Sequence, residues 1–106
     1  MEFTIQERVI LDAVFPKVQG QIETVRDAAW FKKDIALSLQ EKLEANFRVE
    51  NDSQVWDKEL SKEIEVTDSV KDIIIAVLQM MDTKKMITEE CLSLWDKFIS
   101  DAILNR

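Results

Sequence analysis

Histidine and tyrosine do not occur in this chain, and glycine, proline and cysteine occur once each among its 106 residues. Without histidine there is no Ser-His-Asp triad, no imidazole general base and no imidazole metal ligand. A single cysteine excludes an intrachain disulfide and a thiolate zinc site. A single glycine excludes both kinds of glycine-rich loop that cradle phosphate. Long hydrophobic runs are missing as well. The longest, Ile73-Ile74-Ile75-Ala76-Val77-Leu78, falls far short of the ~20 apolar residues that a membrane span needs. The chain opens Met1-Glu2-Phe3-Thr4-Ile5-Gln6-Glu7, neither basic nor continuously apolar, which does not read as a signal peptide. A cytoplasmic protein with its lone Cys91 reduced is the expectation.

Positive charge is scarce too. Lys and Arg total 14 against 21 Asp and Glu, for a net charge of −7, and no cationic run exceeds a pair, Lys32-Lys33 or Lys84-Lys85. Such a chain is repelled by nucleic-acid phosphate and by anionic lipid, so neither is an expected partner. It favours a basic partner protein instead, or mimicry of nucleic acid toward a DNA-binding protein. A second copy of the chain is a further possible partner.

What is present describes a folded domain: 46% hydrophobic and 33% charged residues, with no repeat and no low-complexity tract. Pro16 and Gly20 lie too close together to act as a linker, so residues 1–106 read as a single domain. Thr4 and Glu7 form a capping box for a first helix, with Ile5, Val9 and Ala13 as its apolar row and Ile10 and Val14 beside it; Pro16 ends it near Phe15. A second helix is predicted from about Val18 to Phe31 on Ile22, Val25 and Ala29. Asp34 is then expected to cap a third, striped by Ile35, Leu39 and Leu43. Between Glu44 and Thr67 the helical period is lost. Phe47 and Val49 alternate with polar neighbours, residues 51–53 carry turn chemistry, and Gln54-Val55-Trp56 favours extended backbone, which predicts a hairpin. Residues 62–66 alternate as a third strand. After Thr67 as cap, Val70, Ile73, Ile74, Val77, Leu78 and Met81 mark a fourth helix. A fifth is expected from Thr88, with Ile87 and Leu92 placed as a hydrophobic staple, a row Leu92, Trp95, Ile99 and Ile103, and Cys91, Leu94, Phe98 and Ala102 widening it. The fold class is therefore α+β and mostly α: about five helices with a small antiparallel sheet of two or three strands inserted after the third.

Carboxylates are the only abundant catalytic side chains. Glu63, Glu65 and Asp68 fall near the end of the predicted third strand, a pattern that suits a divalent cation or acid–base work but equally the solvated side of an edge strand. Cys91 near a helix start has no histidine to activate it and two glutamates beside it, and it reads as a buried cysteine. Met80, Met81 and Met86 read as gap fillers between the last two helices, or as an adaptable contact surface. Trp30, Trp56 and Trp95 stand out in a chain without tyrosine. Trp95 fits its helix's stripe. Trp30 and Phe31, adjacent and unable to point inward together, and Trp56 are the expected partner-binding residues. The order helix, helix, helix, hairpin is also that of a winged helix, whose third helix reads the major groove. Here that helix and its approach carry Lys32, Lys33, Gln40 and Lys42 among the acids Asp34, Glu41 and Glu44, a mixed face.

The segments Phe15-Pro16, Gln54-Val55-Trp56 and Leu92-Ser93-Leu94-Trp95-Asp96-Lys97-Phe98 together resemble a group of small phage- or prophage-type proteins. In these a short helix ends near Leu-Pro, a Trp-bearing strand follows, and an aromatic-x-lysine-phenylalanine helix closes the chain. The resemblance spans roughly residues 7–99, with Ile87 in place of the group's leucine and Trp95 in place of its tyrosine. It implies a phage-type origin and no particular activity. The whole reads as a noncatalytic interaction or assembly module without a cofactor or a metal. A winged-helix-like transcriptional regulator is the alternative, and a carboxylate-based enzyme or metal-binding protein comes third.

Overall fold

The capping box at Thr4 forms as its sequence predicts. The Thr4 hydroxyl accepts from the Glu7 N–H, the Glu7 carboxylate accepts from the Thr4 N–H, and helix α1 runs Ile5–Val14 in the computed structural model, which describes residues 1–100. Its inward face is not the predicted Ile5, Val9, Ala13 row. Ile5, Arg8 and Leu11 are buried together with Glu7, whereas Ala13 is exposed. Two charged residues take inward positions because each finds partners there, as described below.

Gly20, at φ +149, turns the backbone through a region that side chains disfavour, and α2 begins only after it, at Ile22. It continues past Phe31 to Ile35, because Ala28, Phe31 and Ile35 form one buried row at helical spacing. Asp34 consequently lies inside α2 and caps nothing. Helix α3 is shorter than expected, Leu39–Ala45, and its cap is Ser38, whose hydroxyl accepts from the Glu41 N–H while Glu41 reaches back to the Ser38 N–H.

The hairpin is where its turn residues put it. β2 (Arg48–Glu50) and β3 (Ser53–Val55) pair antiparallel, with Asn51 and Asp52 at φ 51 and φ 64, the two positive angles that a two-residue hairpin turn of matching twist requires. The third strand does not extend this sheet. β4 (Ser61–Glu63) pairs instead with β1 (Glu2–Thr4), a strand that three residues are too few to announce by periodicity, and the two form a separate two-stranded sheet. That pairing places Phe3 opposite Lys62 and carries the phenyl ring into the core.

Helix α4 is Asp68–Thr83 behind the Thr67 cap, with Val70, Ile74, Val77, Leu78 and Met81 buried. The chain's last helical stretch is not one regular helix. It passes through a 3-10 turn (Glu89–Cys91), one α-helical turn α5 (Leu92–Trp95) and a π turn (Asp96–Ser100). Its buried face is Cys91, Leu94, Phe98 and Ile99. Leu92 is exposed and the Thr88 side chain does not cap, so the predicted staple is not realised and the buried row is displaced by one residue. Ala102 and Ile103 lie outside the described residues. Met81 fills the core, while Met80 and Met86 stay in solvent. The outcome is α+β and mostly α around one apolar core that includes Phe3, Leu11, Phe31, Ile74, Leu78 and Phe98. No helix among the described residues is long and apolar enough to cross a membrane.

Candidate interaction surface

Arg8 is fully buried, and its guanidinium makes four hydrogen bonds. Nε donates to the Ile35 carbonyl at 3.0 Å and Nη2 to the Ala36 carbonyl at 2.9 Å. Nη1 and Nη2 donate to Glu41 Oε2 and Oε1 at 2.5 and 3.0 Å, a bidentate pair. The cation thus meets the negative end of α2 and the first turn of α3 at once, and fixes the angle between them from α1. The cleft of about 160 Å³ beside it, lined by Val9, Asp12, Leu37, Lys42 and Phe47 among others, faces a guanidinium already engaged. The Arg8 hydrogen bonds hold the Glu41 carboxyl down, to about 2, against the opposing effect of burial, with the Ser38 N–H assisting.

A carboxylate lowered in this way contributes stability that is complete above its ordinary value near 4.5 and is lost as pH falls toward 2. Urea midpoints should therefore decline between pH 4.5 and 2. Glu41→Gln, already deprived of the charge, should show a shallower decline at a lower starting stability.

The other end of α3 is pinned as firmly. The Ala45 carbonyl accepts from the N–H groups of Asp57 and Lys58, at 2.8 and 3.3 Å. Asn46, left-handed at φ 54, closes the helix and donates its side-chain amide to Asp57 Oδ2 at 2.6 Å, and Arg48 reaches Asp57 Oδ1 at 3.0 Å. These contacts decide which way α3 faces. Glu41 is turned inward to Arg8, and two residues either way along a helix is a rotation of about 200°, so Leu39 and Leu43 point outward. Each is 74% exposed, and Val49 on β2 is 66% exposed. The helix is amphipathic in the inverted sense: the Glu41 carboxylate faces the protein and the leucines face water.

The expected contact aromatics have different fates. Trp30 lies in the middle of α2 and is 60% exposed, with the Arg26 guanidinium carbon 6.0 Å from its ring centroid. Phe31 is a core residue, packed edge-on to Phe3 at 6.1 Å and against Phe15 at 5.4 Å, and meets solvent only as part of a groove that Trp30 also lines. Trp56 is half-buried, stacked on Phe47 at 5.9 Å with its indole N–H donated to Glu59. The carboxylates singled out for chemistry do not gather. Glu63 pairs with the Met1 ammonium, Glu65 lines the Trp30 groove, and Asp68 sits in the first turn of α4. Among the described residues no group of three His, Cys, Asp or Glu side chains is placed to hold a metal ion. Cys91 is buried, 3.4 Å from the Thr88 hydroxyl.

Glu7, itself buried, forms a second ion pair, with the half-buried Lys97. Burial pushes its carboxyl up, but the Lys97 ammonium at 2.6 Å and the Thr4 N–H outweigh this and hold it below its ordinary value. Its Oε2 has no hydrogen-bond partner among the described residues, so part of its desolvation cost stays uncompensated. Lys97 also donates to the Glu2 carbonyl and lies 5.1 Å from the centre of the Phe3 ring, tying the last helical stretch to β1.

The outward leucines of α3 were within reach of sequence reasoning. Ser38-Leu39-Gln40-Glu41 has the same capping form as Thr4 to Glu7, and once Ser38 is the cap, Glu41 and the two leucines fall on opposite faces. The direction each face takes needs Arg8, which nothing in its local sequence marks as buried. Comparison of the chain with protein-family models, with curated proteins and with solved structures finds no match.

Proposed function

We propose that the protein is a noncatalytic interaction module that docks another protein on the outward face of α3, with Leu39 and Leu43 as anchors and Val49 of the hairpin nearby. The observation that carries this reading is the inversion of α3. A buried arginine and a capped, pinned C-terminus hold in place a helix whose apolar side is left in water. Exposed apolar groups on a rigid, preorganised element lose little entropy when a partner covers them. A partner of opposite charge rather than a second copy is favoured, since a chain of net charge −7 repels its own kind. The outer face of α3 presents Leu39 and Leu43, while Lys42 lies over the Phe47 ring beside the Arg8 cleft and Glu44 pairs with Lys58, and this favours a protein partner over the DNA of the winged-helix reading. A cytoplasmic setting suits the free, buried Cys91.

The test is a double substitution that leaves the helix intact, Leu39→Ala/Leu43→Ala. Alanine keeps helix propensity and both sites are exposed, so the melting temperature should barely move. In parallel affinity captures from host cells, a protein held by the wild-type domain should be lost by the variant. A variant that retains every protein the wild type captures would refute the α3 surface. Concentration-dependent dimerisation of the wild type, abolished in the variant, would reassign the occupant to a second copy.

A further inference from the structure

We propose that the groove beside Trp30 is a separate docking site for an arginine side chain of a partner polypeptide. The groove, about 160 Å³, lies between α2 and the segment leading into α4, with Trp30 and Phe31 on one side and Glu65, Thr67 and Val70 on the other. Its α2 wall is ordered by helical spacing: Asp27, Trp30, Phe31 and Asp34 stand at i, i+3, i+4 and i+7 on one face. An exposed indole between two carboxylates, with a third carboxylate across the gap, supplies what a guanidinium uses. A π face receives the planar cation, and carboxylate oxygens receive its fork of N–H donors.

The charge of the groove is unbalanced. Asp27 Oδ2 accepts from the Ser69 hydroxyl at 3.1 Å, but the carboxylates of Asp34 and Glu65 have no hydrogen bond or ion pair among the described residues. No cation is among the groove's lining residues. Two cations touch its residues from outside the lining: Lys62 donates to the Asp34 main-chain carbonyl at 3.2 Å, and the Arg26 guanidinium carbon lies 6.0 Å from the indole centroid. Trp30 stays 60% exposed with the Arg26 contact made, so the ring has surface left to give. A hydrocarbon anchor would leave these carboxylates desolvated and unpaired. A guanidinium satisfies them while its stem lies along the exposed Trp30 side chain.

The probe is a blocked peptide, Ac-Gly-Gly-Arg-Gly-Gly-NH2, titrated to millimolar concentration into the full ¹⁵N-labelled chain. The Trp30 indole N–H, identified by its loss in Trp30→Phe, should shift saturably together with the amides of Asp34, Glu65 and Thr67. Asp34→Asn/Glu65→Gln should weaken binding by about tenfold without lowering the melting temperature, both residues being exposed. The same peptide with citrulline, neutral but of the same shape, should weaken it comparably. Equal binding of the citrulline peptide would overturn the proposal in favour of a purely apolar groove, and equal binding of a lysine peptide would overturn the guanidinium assignment. Shifts that rise linearly without saturating, or that spread over the whole acidic surface, would overturn the site itself. Leu39→Ala/Leu43→Ala should bind the peptide like wild type, so failure of the α3 reading and failure of this one are distinguishable.

Discussion

Arg8→Met is expected to cost about 3–5 kcal/mol, the range found when one partner of a buried ion pair is removed and the other is left behind. Methionine fills much of the arginine's volume, so the loss is electrostatic. The Glu41 carboxylate loses its bidentate cation, and the carbonyls of Ile35 and Ala36 lose their donors. In a domain of roughly a hundred residues, each 1 kcal/mol moves the melting temperature by about 4–8 °C, so a fall of about 12–40 °C should be seen by calorimetry. Hydrogen exchange adds a local signature. The α3 amides should lose protection beyond the global change, because the helix is then pinned only at the Ala45 end. Arg8→Met/Glu41→Leu should recover part of the loss, since an apolar pair of similar volume removes both the charge and its orphaned partner. A single variant within about 1 kcal/mol of wild type would show that the clamp is dispensable, and would remove the physical basis for a preorganised α3 face.

Phe3→Ala is the second large effect, again about 3–5 kcal/mol. The ring is fully buried, lies edge-on to Phe31 at 6.1 Å and stacks on Phe98 at 6.2 Å, so its removal opens a cavity at the meeting point of β1, α2 and the last helical stretch. Those pairs add to the burial term. Urea unfolding with an unchanged dependence on denaturant would attribute the loss to stability alone. Val49→Ala, on an exposed site of the other sheet, should stay within about 0.5 kcal/mol and serves as the control. A Phe3 variant as stable as that control would mean that β1 does not dock on β4 as described.

These two residues mark where local sequence is silent. Phe3 sits in a three-residue strand, too short for a period of two to register. What makes it a strand is Ser61–Glu63, some sixty residues away, which supplies the pairing partner. Arg8 breaks the apolar pattern of α1 and, by local rules, belongs outside. It is buried because the end of α2 and the start of α3 bring two carbonyls and a carboxylate to one point in space. The same long-range logic separates Trp30 from Phe31. Only the burial of Ala28, Phe31 and Ile35 against α4 and the rest of the core decides which of the two adjacent rings faces out. The extension of α2 over Asp34 follows from that row as well, and it moved the cap of α3 to Ser38.

By itself the sequence determined the absence of histidine and of a second cysteine or glycine, the mostly helical α+β class, the Thr4 and Thr67 caps, the Asn51-Asp52 hairpin turn and the buried face of α4. Each of these rests on interactions within a few residues, or on composition, and local propensity is sufficient for them. Only the tertiary structure decided which faces are left in water: the leucines of α3 turned outward, Trp30 opened to a groove with free carboxylates, and the carboxylates of the chain's middle dispersed. Those outcomes depend on which polar group finds a partner inside, and partners such as Arg8 with Glu41 or Lys97 with Glu7 are dozens of residues apart in the chain. A charged side chain is buried only where its counter-charge is already waiting, and no local pattern records that meeting.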